Sequence, residues 1–262
     1  MTRRVLEKLP RCKVIARYGV GVDTIDLRAA ADLGIVVSNV PDYGTQEVSD
    51  HALTLMLCLT RKVPQANAQV KGGQWDFRLT HPVYRLQTQT IGIVGIGRIG
   101  KALAHKTHAL GMKVLACDPY ADPASLPDYV SLASLEDVLR QSDVVSLHCP
   151  LTEETRHLLD ERRLRLMKPT AYLVNTARGH IVDEAALDRM LGDQKLAGAA
   201  MDVLAKEPGA AAHPLFRHDN FYCTPHMAWH SEESAQELKR KAAEEVRRVL
   251  NGEAPWYQVN KF

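Results

Sequence analysis

Apolar residues in this chain gather into short unbroken runs, and helical stretches separate those runs along much of its length. The clearest run is 91–94, β-branched and continuous, as in a strand buried on both faces of a parallel sheet. Gly95-Ile96-Gly97-Arg98-Ile99-Gly100 follows, and a helical pattern then runs to Leu110, where Gly111 stops it. Residues 113–117 read as the next strand. Further strands are predicted at 143–147, 171–175, within 196–203 and at 221–223, with helices at 134–140, 160–167 and 183–191 between them. Ser134 and Asp137 have the spacing of a capping box. Strands alternating with helices predict an α/β fold built on a doubly wound parallel sheet. Ligands of such sheets lie beyond the carboxyl ends of the strands.

The two ends of the chain read differently. Strands at 13–17 and 35–39 flank the loop Tyr18-Gly-Val-Gly-Val-Asp23 and a helix at 26–33 that Gly34 terminates. One such unit cannot close a core alone, so it must dock on another element or lack residues that precede it. A helix from Thr45 to Arg61 carries Val48, Ala52, Leu55, Met56 and Leu59 at helical spacing, with Leu53, Leu57 and Cys58 in addition. A helix apolar around so much of its circumference is expected to be buried on more than one side, at an interdomain or subunit contact. Residues 71–89, with Trp75, Phe77, Pro82 and Tyr84, show no period and read as an arm or loop; 231–251 is a long charged helix. The expected division is a dinucleotide-binding domain at 43–230 and a smaller domain made of 1–42 and 231–262.

A strand, a GxGxxG turn and a helix together suit a dinucleotide's pyrophosphate. The first glycine makes the tight turn, the second admits the phosphates to backbone N–H groups, and the third lets helix and strand pack closely. The anion then lies at the positive end of the helix dipole. Asp118 closes the next strand eighteen residues beyond Gly100, where a carboxylate accepts from ribose hydroxyls and repels the extra phosphate of NADP. NAD is therefore the expected cofactor, with Gly95, Gly97 and Gly100 shaping its turn.

Composition narrows the partners. Lys and Arg exceed Asp and Glu by two, and no basic cluster stands out, so nucleic acid is not an expected partner. No apolar run reaches the length of a membrane span, and no signal-peptide core follows Met1. Five cysteines without a CxxC pair read as reduced thiols in a cytoplasmic protein. His226 and His230, or His105 and His108, have ligand-like spacing but lack a third partner, so no metal site is expected.

Three strand ends carry reactive side chains. Thr176-Ala177-Arg178-Gly179 follows 171–175, Leu204-Ala205-Lys206-Glu207-Pro208 follows 196–203, and Thr224-Pro225-His226 follows 221–223. An arginine, a glutamate and a histidine thus converge on the edge where NAD is expected. Here a resemblance becomes specific. LVNTARGHIVDEAAL (173–187), AMDVLAKEP (200–208) and TPHMAW (224–229) closely resemble signatures of the NAD-dependent D-isomer-specific 2-hydroxyacid dehydrogenases. RYGVGVDTIDL, NVPDYGTQEVSDHAL, GIVGIGRIGKALA and VVSLHCPLTEETRHLL resemble that family too, so the likeness covers nearly the whole chain. It is nearest to the branch of phosphoglycerate and glyoxylate/hydroxypyruvate dehydrogenases and the C-terminal-binding-protein group.

The resemblance implies a Rossmann NAD domain, a flavodoxin-like substrate domain, and hydride exchange between NAD(H) and a small 2-oxo or D-2-hydroxy acid. Arg178 would grip the substrate's carboxylate and carbonyl through its planar fork. His226 would act as general acid in reduction and base in the reverse direction, with Glu207 pairing to the imidazolium and holding its orientation. A glutamate at 207 favours acid–base chemistry, whereas the related formate dehydrogenases carry glutamine there. Backbone amides of Val20 and Gly21 would bind the substrate carboxylate. On the cofactor side the likeness implicates Arg98 and Ile99 at the phosphates and Asp118 at the ribose. It places Cys149, Pro150 and Thr155 near the adenine, and Thr176 and Asp202 near the nicotinamide. Family members usually carry more residues before the position of Lys13, so the substrate domain is expected to be truncated at its N-terminus. Nothing resembling a regulatory domain follows, so amino-acid feedback control is not expected. A homodimer built through the NAD domains is the expected assembly, with 45–61 and the arm around Trp75 as contacts. The rival reading is an NAD-sensing binding module of the C-terminal-binding-protein type, with little or no turnover.

Overall fold

The computed structural model describes residues 1–261 and divides into two compact units, Met1–Glu47 with Trp229–Phe262, and Val48–Ala228. The smaller unit opens with α1 (Arg3–Leu6), β1 (Val14–Ala16), α2 (Leu27–Asp32) and β2 (Val36–Ser38). The chain continues through α3 (Thr45–Arg61) and α4 (Val63–Lys71). The larger unit then runs β3 (Thr90–Val94), α5 (Arg98–Ala109), β4 (Lys113–Cys117), β5 (Val130–Leu132), α6 (Leu135–Gln141) and β6 (Val144–Leu147). It ends with α7 (Glu161–Leu164), β7 (Tyr172–Asn175), α8 (Glu184–Gly192), β8 (Gly198–Met201) and β9 (Phe221–Cys223), and α9 (Glu232–Leu250) returns to the smaller unit.

Seven strands of the larger unit form one sheet in the order β5-β4-β3-β6-β7-β8-β9, every pair parallel. From β3 the chain winds outward through β4 and β5, then crosses back to β6 and winds the other way. The winding reverses between β3 and β6, which is where a doubly wound sheet opens a crevice for a ligand. Both faces are covered, as the continuous apolar strands require. On one face Val138 and Leu139 of α6, Leu164 of α7 and Leu187 of α8 pack on Val145, Leu147 and Leu173. On the other, Ala52 and Met56 of α3 with Leu103 and Ala104 of α5 pack on Ile91, Ile93 and Val144.

In the smaller unit β1 and β2 pair in parallel, and Leu6, Ala29, Ala30, Ile35 and Val37 form a core. The C-terminal tail supplies what that short chain lacks. Asn260 donates to the Ile35 carbonyl at 2.9 Å and accepts from the Val37 N–H at 2.8 Å, and Gln258 bridges Ser38 in antiparallel fashion. Tyr43, Val40 and Trp229 pack with Leu238 and Ala242 of α9. That cluster draws the unit boundaries to Glu47 and Trp229, five and two residues from the expected 42 and 231.

Several elements differ from the pattern reading. Residues 63–71 form the helix α4, set off from α3 by Lys62 in a left-handed conformation and by Pro64 in its first turn. Two 3-10 turns, Phe77–Thr80 and Leu86–Thr88, interrupt the stretch read as an arm. Strand β5 escaped the pattern because it is an edge strand with two of its three residues exposed. The helix expected over 160–167 is a single turn. At Ser134 the capping box is half made: its hydroxyl accepts from the Asp137 N–H at 3.1 Å, but Asp137 takes that same hydroxyl's proton at 2.6 Å and not the backbone N–H. No helix among the described residues is long and apolar enough to cross a membrane.

Candidate active site

Because all seven strands run parallel, their carboxyl ends share one edge, and nearly every residue singled out in the larger unit follows a strand there. The glycine turn after β3 is shaped by close approach. Gly95 has a φ of +93°, and a Cβ on it would lie 2.6 Å from the Cys149 nitrogen that follows β6. A Cβ on Gly100 would lie 2.2 Å from the Gly95 carbonyl oxygen, so only glycine lets α5 start this near the turn. Gly97 is different: its Cβ position is open space, and nothing in the protein forbids a side chain there. The N–H groups of Gly97, Arg98, Ile99 and Gly100 donate to no carbonyl or side chain among the described residues. The exposed Arg98 guanidinium has no ion-pair partner there either. An open glycine, four undirected donors at a twelve-residue helix start and a loose cation make a fitting cradle for a pyrophosphate.

Asp118 closes β4 beside this turn. One carboxylate oxygen accepts from the Ile96 N–H at 3.0 Å and the other from Tyr120 N–H at 2.9 Å, so the group is aimed while keeping lone pairs for ribose hydroxyls. Burial pushes the Cys149 thiol up to about 11, leaving it neutral, soft surface. Thr155 spends its hydroxyl on its own loop, donating to the Pro150 carbonyl at 2.6 Å and accepting from the Thr152 N–H at 2.7 Å. Its contribution is the shape of 150–155. Thr176, after β7, has a buried hydroxyl oxygen with no hydrogen-bond partner among the described residues. A buried hydroxyl without a partner is costly, and a polar group of a bound dinucleotide would relieve it. The residues present fit NAD.

Arg178 sits in a turn fixed by the fully buried Asn175. That side chain donates to the Arg178 carbonyl at 2.9 Å and accepts from the Ala177 N–H at 3.0 Å. The guanidinium donates to the Ala177 carbonyl at 2.7 Å. Gly179 then lets the turn lie against the next loop, where a Cβ would fall 2.0 Å from the Leu204 carbonyl carbon.

His226 and Glu207 come together although nineteen residues part them. His226 Nδ1 lies 2.7 Å from Glu207 Oε2, and Glu207 Oε1 accepts from the Leu204 N–H at 3.1 Å. His226 holds a left-handed backbone, φ +53°, which costs a non-glycine residue about 1 kcal/mol. Asp202 secures it. The Asp202 carbonyl accepts the His226 N–H at 2.8 Å, while its buried carboxylate accepts from Thr224 Oγ1 at 2.6 Å, Met227 N–H at 2.9 Å and Ala228 N–H at 2.8 Å. The Thr224 hydroxyl, its proton committed to Asp202, accepts in turn from His51 Nε2 at 2.9 Å. The Asp202 carboxylate, expected at the nicotinamide, also builds the loop that carries the histidine. Sequence reasoning missed Asn175, Thr224 and His51; the first two stand beside strand-end motifs, while His51 lies within α3 and carried no such signal.

Two further groups on this edge are set aside by their chemistry. Burial pushes the His148 imidazole down to about 4, so it is uncharged near neutral pH and cannot donate a second ring proton there. Burial, aided by the charges of Asp202, Glu184 and Glu207, pushes Cys223 up to about 11, which rules out a thiolate nucleophile. In the smaller unit the loop residues Val20 and Gly21 offer N–H groups that donate to no acceptor among the described residues, and Asn39 braces the loop by donating to the Val20 carbonyl at 2.7 Å.

The glycine geometry makes a test. Gly97→Ala should leave the thermal midpoint unchanged yet weaken NADH binding by about ten-fold or more, since its methyl enters only the cofactor's space. Gly100→Ala should lower stability by about 1–3 kcal/mol, because its methyl meets backbone. Fluorescence titration with NADH beside thermal melts measures both; unaltered NADH affinity in Gly97→Ala would contradict the cradle.

Comparison with known proteins gives the same reading. Residues 53–228 match the family described as "D-isomer specific 2-hydroxyacid dehydrogenase, NAD binding domain". The chain is 41% identical over 264 residues to a glyoxylate reductase of Thermofilum pendens, covering 98% of this chain and 77% of that one. It is 38% identical to a D-3-phosphoglycerate dehydrogenase of Methanocaldococcus jannaschii, covering 99% of this chain but 50% of that one, so it spans half that relative's length. Among solved structures it is similar to D-lactate dehydrogenase of Aquifex aeolicus complexed with NAD and lactic acid, with TM-score 0.91, 32% identity and coverage of 96% and 80%. It is also similar to an acyclic imino acid reductase complexed with NADPH and D-Arg, with TM-score 0.91, 30% identity and coverage of 99% and 82%. The match spans the whole parallel sheet and the likeness nearly every residue, and the chain belongs to the D-isomer specific 2-hydroxyacid dehydrogenases, a family of NAD-dependent oxidoreductases.

Proposed function

We propose that this dehydrogenase reduces a short 2-oxo acid to its D-2-hydroxy acid with NADH, glyoxylate being the first substrate to try. The observation that carries the reading is the 2.7 Å contact of His226 Nδ1 with Glu207, on a loop whose left-handed turn exists to present that ring. When bound, the nicotinamide supplies the hydride. Arg178, whose turn Asn175 holds rigid, would bind the substrate's carboxylate and carbonyl oxygen through two N–H groups of one planar fork. His226 in its imidazolium form gives the Nε2 proton to the carbonyl oxygen as that oxygen gains charge. Glu207 keeps the Nδ1 proton and so fixes ring orientation and tautomer. In the oxidative direction the neutral ring takes the hydroxyl proton back at Nε2. In the smaller unit, the N–H groups of Val20 and Gly21 are our candidates for further carboxylate donors.

At the cofactor, Arg98, Ile99 and the three turn glycines would hold the pyrophosphate, Asp118 the ribose hydroxyls, Cys149 with Pro150 the adenine side, and Thr176 the nicotinamide side. Asp118 favours NAD over NADP by repelling a 2′-phosphate. Five free cysteines suit the cytoplasm.

We further propose a homodimer formed through the larger unit. The support is apolar surface: Trp75 is 87% and Phe77 76% exposed, with Leu79 and Tyr84 also exposed along the same segment. A patch of large apolar side chains on one segment marks an interaction surface.

NADH oxidation at 340 nm, a wavelength set by the cofactor, tests the function against glyoxylate, hydroxypyruvate, pyruvate, phenylpyruvate and 2-oxoglutarate. Turnover on at least one acid is expected, falling by a factor on the order of 10²–10⁴ in His226→Ala. Tight NADH binding without turnover on any acid would turn the reading toward a nucleotide-sensing module. For the assembly, sedimentation velocity should give a dimer for the wild type and a monomer for the double variant Trp75→Glu, Phe77→Glu. A monomeric wild type would refute the dimer.

A further inference from the structure

Glu184 opens α8, directly after the cap residue Asp183. A glutamate there is ordinarily read as a charge serving its own helix dipole. Its contacts differ from that role. Asp183 alone caps α8, accepting from the N–H groups of Ala185 and Ala186 at 3.0 Å each. The Glu184 carboxylate turns away to the loop after β8, where Oε1 accepts from the Ala205 N–H at 2.7 Å. Its second oxygen lies 3.3 Å from His213 Nε2. Both side chains are mostly shielded, 17% and 18% exposed.

Ala205 stands next to Leu204, and the Leu204 N–H is held by Glu207 Oε1 at 3.1 Å while Oε2 holds His226. The 204–207 loop is therefore gripped at its start by Glu184 and touched on its flank by Gly179, which leaves no room for a Cβ against Leu204. Glu207 itself is 37% exposed and reaches His226 across solvent-accessible space. A carboxylate placed so openly depends on its backbone for aim.

Resting on the reading of Glu207 and His226 as the proton-transfer pair, we infer that Glu184 is a positioning residue for the reaction. Through the Ala205 N–H it fixes the loop so that Glu207 addresses His226, and His213 steadies its other oxygen. A misplacement of about 1 Å at a catalytic group costs on the order of 10²-fold in rate, and loss of one brace among several contacts should cost less.

Glu184→Ala and Glu184→Gln separate this from a merely structural role. In Glu184→Ala, kcat for glyoxylate reduction should fall about ten-fold, with KM and the NADH dissociation constant within about two-fold of wild type. Glu184→Gln keeps an oxygen that accepts from Ala205 and should recover most of the rate. The second measurement needs no turnover: hydrogen exchange of the Leu204 N–H, read by NMR, should speed about ten-fold in Glu184→Ala while the β8 amides keep their protection. An unchanged Leu204 exchange rate would overturn the inference whatever the enzyme's substrate. So would wild-type kcat in Glu184→Ala, or kcat, KM, NADH affinity and thermal midpoint all lost together. A wild type that turns over nothing would fail the catalytic reading alone, and the exchange measurement would still decide the positioning role.

Discussion

Asp202 carries a carboxylate that is almost closed to water, and a buried charge is tolerable only when donors replace its hydration. Thr224, Met227 and Ala228 supply those donors, each bond to a charged acceptor contributing about 1.5–3 kcal/mol. The bonds run from the end of β8 to the segment after β9, so satisfying the charge forces that segment to fold over Asp202. His226 belongs to that segment and accepts a left-handed backbone as a consequence. Its ring then meets Glu207, which comes from the same strand end as Asp202. The contact between His226 and Glu207 is thus a product of one buried charge satisfied by its donors, and the small strain at His226 is outweighed by the bonds around it.

Backbone proximity plays the corresponding part at the cofactor edge. Gly95 and Gly100 each occupy space that a methyl group would have to share with backbone atoms, and the start of α5 is drawn toward the strand it follows. Helix N–H groups come to the point between β3 and β6 where the winding of the sheet reverses. At Gly179 the same device presses the Arg178 turn on the loop of Glu207. Rigid strand ends and glycine contacts set the geometry of these turns.

Much of this was legible in the sequence, because the signals were local. Continuous apolar runs marked the strands of a buried parallel sheet, and glycines at 95, 97 and 100 marked the tight turn between β3 and α5. What stayed hidden depended on partners distant in sequence or on exposure. Nothing local to Asp202 reveals that its oxygens also accept from residues more than twenty positions away. Glu184 drew no notice in the sequence for the same reason, since the Ala205 N–H it holds lies 21 positions away. Strand β5 was invisible because an edge strand with exposed side chains has no apolar period, and α4 because a helix that buries none of its residues shows no clear stripe.

In the mechanism proposed above, Glu207 acts in the chemical step and not in holding the cofactor. Stopped-flow measurement of NADH oxidation by glyoxylate in Glu207→Gln, with NADH affinity taken on the same samples, tests it most directly. NADH affinity should stay within about two-fold of wild type while the hydride-transfer step slows by a factor on the order of 10². Hydride transfer at the wild-type rate, or a loss that appears wholly in NADH binding, would contradict it.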